Sequence, residues 1–122
     1  MAANASICSL FIVIAFLGFN LISAVKVGDT ESGKCSWYAG PGTTANGEWF
    51  DGSTMTAAHK TLPFNTMVRT SFKGRSVTLR INDRGPFVAG RILDVSRRAA
   101  EMMGTIDTGV WDCTLTIVSL PK

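Results

Sequence analysis

The chain has 122 residues, with 12 Lys+Arg against 9 Asp+Glu and a net charge of +3. That excess is mild and contains no basic run, so it excludes a dedicated nucleic-acid surface while suiting an anionic polymer. The length allows one small domain once the N-terminal segment is set aside.

Residues 1–24 read as a secretory signal peptide. From Ile7 to Ala24 almost every residue is apolar or small, no charged side chain precedes Lys26, and Leu21-Ile22-Ser23-Ala24 suits cleavage after Ala24. The alternative is an uncleaved anchor, since the stretch approaches the ~20 residues a membrane span needs. Either way, residues 25–122 are expected outside the cytoplasm. Residues 25–33 are polar and read as a linker, leaving a domain over 34–122.

Within that domain Lys34–Tyr38 predicts a first strand, and residues 39–47 a glycine-rich loop. Thr56 predicts an N-cap for one helical turn carrying Ala57, Ala58 and His59. Residues 66–71 and 76–81 alternate around a Lys73-Gly74 turn and predict a hairpin. Residues 90–95 read as a short buried strand. Ser96 predicts the cap of a helix from Arg97 to Met103, ended by Gly104. Residues 113–118 make the last strand. Many short strands with one or two brief helices predict an all-β fold, a small closed barrel that removes sheet edges. Cys8 leaves with the leader, and Cys35 with Cys113 predicts one disulfide in an exported domain. It would close a loop of about 79 residues; the alternative is two buried free thiols.

Few places could carry chemistry. Asp83 directly follows a strand in a loop stiffened by Gly85-Pro86, where a carboxyl group can project over a groove. Its bland use is to cap that turn and pair with Arg84. His59 is the single histidine. Glu48 and Asp51 lie three residues apart beside glycines, where they either stabilise developing positive charge or form a solvated turn. Asp94, in a buried-looking strand, reads as structural, paired with an arginine. Trp49 is the best candidate for stacking on a sugar ring, with Asn82 and Arg84 as polar contacts. One histidine and two bonded cysteines cannot assemble a metal site.

The blocks Gly33–Tyr38, Gly47–Asp51, Thr56–Pro63, Arg80–Phe87 and Gly90–Ser96 resemble the RlpA-like (rare lipoprotein A) domain family, in family order. The resemblance implies a six-stranded double-psi β-barrel, the fold shared with expansins and family 45 glycoside hydrolases. It implies lytic transglycosylation of peptidoglycan, cleavage of the β-1,4 bond between N-acetylmuramic acid and N-acetylglucosamine, with preference for peptide-free strands. In that chemistry one carboxyl group can protonate the leaving oxygen and then take the muramoyl C6 hydroxyl proton. The resemblance makes Asp83 and His59 the functional pair, with His59 expected to hydrogen-bond Asp83, and adds Glu48 and Asp51 to the catalytic set. Members usually carry a lipobox cysteine after the leader, where this sequence has Ser23-Ala24-Val25. Many add a C-terminal glycan-binding domain. The expectation is a secreted, single-domain, monomeric enzyme whose partner is the peptidoglycan glycan strand. No cofactor, metal, nucleic acid or lasting membrane insertion is expected. The competing function is an expansin-like or barwin-like protein that binds wall polysaccharide without cleaving it.

Overall fold

The computed structural model describes residues 24–122, so the expected leader and Cys8 lie outside the described residues. The elements are β1 (Thr30–Tyr38), β2 (Gly42–Thr43), β3 (Trp49–Phe50), β4 (Thr56–Ala58), β5 (Met67–Phe72), β6 (Arg75–Asp83), β7 (Arg91–Ser96), α1 (Arg97–Met103) and β8 (Val110–Ser119). Six strands close a barrel in the order β1-β7-β4-β6-β5-β8, while β2 and β3 form a separate ribbon. The β1–β7 and β4–β6 pairs are parallel and the other barrel pairs antiparallel.

Alternation explains the barrel. Val77, Leu79 and Ile81 of β6, Leu93 and Val95 of β7, and Trp111, Leu115 and Ile117 of β8 all point inward and are buried. Their polar neighbours in sequence face out, as a pleat of period two requires. The β5–β6 hairpin turns at Lys73-Gly74, where both residues have positive φ, 48° and 83°, the geometry that matches strand twist in tight hairpins. Ser96 caps α1 by accepting from the Ala99 amide, and Gly104 ends the helix in the left-handed conformation. Cys35 and Cys113 form the expected disulfide inside the barrel, with Cα atoms 5.8 Å apart.

Three expectations change. The segment Thr56–Ala58 is a strand rather than a helical turn. It lies between β6 and β7 and pairs with both, and that two-sided ladder overrides the helix preference of its alanines. The first strand begins at Thr30, so residues 30–33 belong to the barrel rather than to a linker. Their outward side chains are polar and hide the strand from a hydrophobic pattern; Ser32 Oγ bonds Thr114 Oγ1 of β8 at 2.8 Å. Gly33 is needed there, because a Cβ would come within 2.8 Å of the Ile92 side chain. Lastly, the glycine-rich loop contains β2, which pairs with β3 just beyond the loop's end.

Candidate active site

The strand β6 runs through Asp83 instead of stopping at Ile81, and its end is irregular. Thr56 and Ala57 pair with Arg80 and Ile81, but Ala58 pairs with Asp83, so one extra β6 residue is accommodated. Such a bulge re-aims a side chain. Here it brings Asp83 to the face that carries Ala58. On the other side of β4, Ala58 pairs with Asp94 of β7, and Asp94 pairs with Ser36 of β1. Asp83, Ala58, Asp94 and Ser36 therefore form one row across four neighbouring strands. The row is on the outside, since Ile81, Ala57, Leu93 and Cys35 face the core. Ala58 and Ser36 are themselves buried, 2% and 5% exposed, while the carboxylates on either side of Ala58 are half-buried.

Asp83 is held by three donors. Its Oδ1 accepts from the amides of Ala45 and Arg84, both at 2.9 Å, and its Oδ2 accepts from the Tyr38 hydroxyl at 3.1 Å. The Tyr38 ring stacks on Phe50 with centroids 4.4 Å apart, which ties the β2–β3 ribbon to the same face. Burial, then the Asp83 charge and hydrogen bond, then Asp94, push the Tyr38 phenol well above its ordinary value. It therefore remains a neutral donor to Asp83.

Asp94 was read from sequence as structural, but its carboxyl group stands in this row. It is half-buried, and Ser36 Oγ donates to its Oδ1 at 3.0 Å. Burial pushes Asp94 upward from an ordinary aspartate value. The Ser36 bond and Arg91 pull it down, and the Asp83 charge pushes it up. The register of residues 56–58 between β6 and β7 carried the signal, and the helical reading of that segment concealed it.

Glu48 is close to this site but fully engaged. Arg80 binds it through both terminal nitrogens at 2.8 Å, Asn82 Nδ2 donates at 3.1 Å and Asn46 Nδ2 at 2.9 Å. Together with the Asn46 amide bonding the Asn82 carbonyl, these contacts fold residues 44–48 over the end of β6. Donation from Arg80, then Asn82 and Asn46, lowers the Glu48 pKa from 4.5 to about 2. A carboxyl group whose folded value is depressed stabilises the fold above its unfolded value and loses that contribution as pH falls through the folded one. Thermal melts from about pH 4.5 down to about pH 2 should thus show a steeper loss for the wild type than for Glu48→Gln. Equal slopes would show that this network contributes nothing to acid stability.

The other expected site residues are spread out. Asp51 accepts from the amide and hydroxyl of Ser53 in a local turn, which lowers its pKa, and makes no contact with Asp83. His59 is 4% exposed, and its ring is turned away from Asp83. Nε2 meets Glu31 Oε1 at 2.7 Å, and Nδ1 accepts from the amides of Thr61 and Leu62. An Nδ1 that accepts places the proton on Nε2. Only the His59 backbone meets Asp83, its amide donating to the Asp83 carbonyl at 3.2 Å. The expected side-chain bond from His59 to Asp83 is not formed. Arg84 lies over the Phe64 ring, 4.0 Å from its centroid, and donates to the His59 carbonyl. Asn82 is buried against Glu48. Trp49, in contrast, is 69% exposed, on the ribbon face opposite Phe50.

A depression of about 760 Å³ is lined by Lys34, Ser71, Asp112 and Thr114 among others and does not include Asp83. Its charges, Lys34 and Asp112, are exposed and paired with each other, so it has no proton-transfer machinery. The Asp83 row lies elsewhere, its two carboxylates half-buried beside the buried Ala58 and Ser36. No group of three or more His, Cys, Asp or Glu side chains is placed to hold a metal among the described residues.

The sequence profile of the lytic transglycolase family matches residues 30–115. The chain belongs to this family. It is 44% identical over 102 residues to an endolytic peptidoglycan transglycosylase RlpA from Campylobacter jejuni, covering 79% of this chain and 37% of that protein. It is 46% identical over 102 residues to a probable RlpA transglycosylase from Synechocystis, covering 79% of this chain and 32% of that protein. The chain thus spans about a third of the length of these relatives. Among solved structures it superposes on a Streptomyces papain inhibitor with a TM-score of 0.68, at 24% identity, covering 79% of this chain and all of that one. It superposes on the Clavibacter michiganensis expansin with a TM-score of 0.63, at 18% identity, covering 77% of this chain and 52% of that one. These likenesses establish the fold, a six-stranded double-psi β-barrel.

Proposed function

We propose that this domain is a lytic transglycosylase of peptidoglycan acting outside the cytoplasm. The observation that carries the reading is the Asp83 carboxyl group, fixed by three donors at the end of β6 in a barrel whose relatives are named for that activity. The Asp83 carboxyl group gives its proton to the bridging oxygen, which keeps the electron pair of the broken bond and leaves as the N-acetylglucosamine hydroxyl; the resulting carboxylate then takes the O6 proton as O6 forms the new bond to the anomeric carbon. Residues 44–48 and Tyr38 hold Asp83 in place. Glu48, whose oxygens are saturated by donors, and His59, whose ring closes the turn after β4, are positioning residues in this reading. Asp51 shapes the loop before β4.

Mature protein incubated with stripped peptidoglycan strands should yield anhydro-muramoyl ends by mass spectrometry. Binding without such ends would make the domain a polysaccharide-binding module instead. The exposed Trp49 ring gives a second test. Trp49→Ala should weaken glycan binding by roughly 2- to 10-fold, the scale of one aromatic stacking contact, with the melting temperature unchanged. Unaltered binding would remove Trp49 from the glycan surface.

A further inference from the structure

We propose that Glu31 is a positioning residue for the reaction at Asp83. It holds the His59 ring in one tautomer, and the His59 main chain holds the Asp83–Arg84 end of β6. This rests on the reading of the domain as a lytic transglycosylase.

The strand register puts Glu31 at the mouth of the barrel. Glu31, Gly33 and Cys35 of β1 stand opposite Leu115, Cys113 and Trp111 of β8. Those three partners belong to the core, and directly paired residues share a face, so the Glu31 side chain is aimed inward. With His59, Leu62, Leu115 and Ile117 it lines a cavity of about 230 Å³. The other acid there, Asp29, accepts from the Lys26 amide at 2.9 Å. Glu31 instead meets His59 Nε2 at 2.7 Å. In the barrel β7 lies between β1 and β4, so this bond joins β1 to the end of a strand that is not its neighbour.

The bond fixes a proton. His59 Nδ1 accepts from the amides of Thr61 and Leu62 at 3.1 and 3.0 Å. The ring proton is therefore on Nε2, where Glu31 accepts it. The other tautomer would aim a third N–H at those two amides. The ring is buried, and a buried donor that loses its acceptor is costly to leave unmatched. Without Glu31 the ring has no reason to keep this tautomer, and the turn 59–62 loses its centre.

That turn reaches the reacting group through the main chain. The His59 amide donates to the Asp83 carbonyl at 3.2 Å, and the His59 carbonyl accepts from Arg84 Nη1 at 3.1 Å. The Arg84 amide in turn donates to Asp83 Oδ1 at 2.9 Å. A shift of His59 thus moves both residues that set the Asp83 carboxyl group. The β4–β6 ladder slips register between Ala57 and Ala58, so regular strand pairing does not hold Asp83 by itself. Glu31, inside the mouth, is remote from the exposed Trp49 ring and has no place in glycan binding.

The test compares wild type with Glu31→Gln, Glu31→Ala and Glu31→Asp on stripped glycan strands. Glutamine presents a carbonyl oxygen at the same reach and can accept from Nε2; alanine presents nothing; aspartate keeps the charge but falls one methylene short. Glu31→Ala and Glu31→Asp should lose about 10- to 100-fold in turnover, up to the scale of a 1 Å misplacement, with glycan affinity unchanged. Glu31→Gln should stay within about threefold of wild type, because its acceptor is retained. Nitrogen-15 shifts should place the His59 proton on Nε2 in wild type and Glu31→Gln but not in Glu31→Ala. The Asp83 carboxyl carbon resonance should move in Glu31→Ala only. A merely structural Glu31 would lower the melting temperature while leaving that resonance, and turnover well below melting, where they are. Full turnover in folded Glu31→Ala, or equal turnover in Glu31→Gln and Glu31→Asp, overturns the proposal; the second comparison decides even if the alanine variant does not fold. A wild type that makes no anhydro ends overturns the transglycosylase reading instead, and the His59 and Asp83 resonances then decide whether Glu31 sets the Asp83 carboxyl group.

Discussion

Replacing Asp83 by asparagine should lower glycan cleavage by roughly 10²- to 10⁴-fold, the range for removal of a positioned acid–base group. The fold should survive, because the local bonds can be kept. An asparagine oxygen can still accept from the Ala45 and Arg84 amides that now bond Oδ1. Its amide nitrogen can donate to the Tyr38 hydroxyl, which turns from donor to acceptor. Melting temperature and glycan binding should therefore change little while anhydro-muramoyl product disappears. That split separates a chemical role from a structural one. Full turnover in Asp83→Asn would transfer the chemistry to Asp94 alone, since Glu48 is saturated by Arg80, Asn82 and Asn46 and Asp51 by Ser53. A variant that is both inactive and unfolded would show that the carboxylate holds the 44–48 loop rather than moving a proton.

The barrel was legible because its central strands alternate. Val77, Leu79 and Ile81 announce β6, and Lys73-Gly74 announces the hairpin before it. Ser96 and Gly104 bound α1 with residues whose conformations no other signal mimics. What stayed hidden depends on pairing rather than on local pattern. Three residues, Thr56–Ala58, hold too little hydrophobic periodicity to reveal a strand, and their alanines favour helix in isolation. Once that segment is misread, the row through Ala58 cannot be drawn, and Asp94 is left as an isolated buried acid. The bulge at the end of β6 is equally silent in sequence, since period-two counting sends Asp83 to the face opposite Asn82. Asp83 itself was found because it stands in a distinctive block. The roles given to His59 and Glu48 followed the same blocks, yet their hydrogen bonds are spent on the turn after β4 and on Arg80. Matching a motif locates a site, while the donors around each side chain decide which member is free to act.

Loss of the Cys35–Cys113 bond should destabilise the barrel strongly. The two cysteines are 78 positions apart, and restricting an unfolded chain over such a loop is worth about 4.5 kcal/mol in the chain-entropy model. For a domain of about 100 residues, a loss of 3–4 kcal/mol corresponds to a drop in melting temperature of roughly 15–25 °C. The bond lies between β1 and β8, where Gly33 pairs with Cys113 and Cys35 with Trp111, so it closes the barrel at the junction of its first and last strands. Both cysteines are buried, and a Cys35→Ala/Cys113→Ala variant would also lose sulfur packing. Reduction of the unmutated protein isolates the cross-link from that packing loss. The consequence reaches the site through β1, because Ser36 follows Cys35 and contacts Asp94, and Tyr38 contacts Asp83. Reduced protein should therefore lose cleavage in step with unfolding, at temperatures where the oxidised protein is still active. A reduced form that melts within about 3 °C of the oxidised one, well under 1 kcal/mol, would show that the β1–β8 ladder holds its register without the bond.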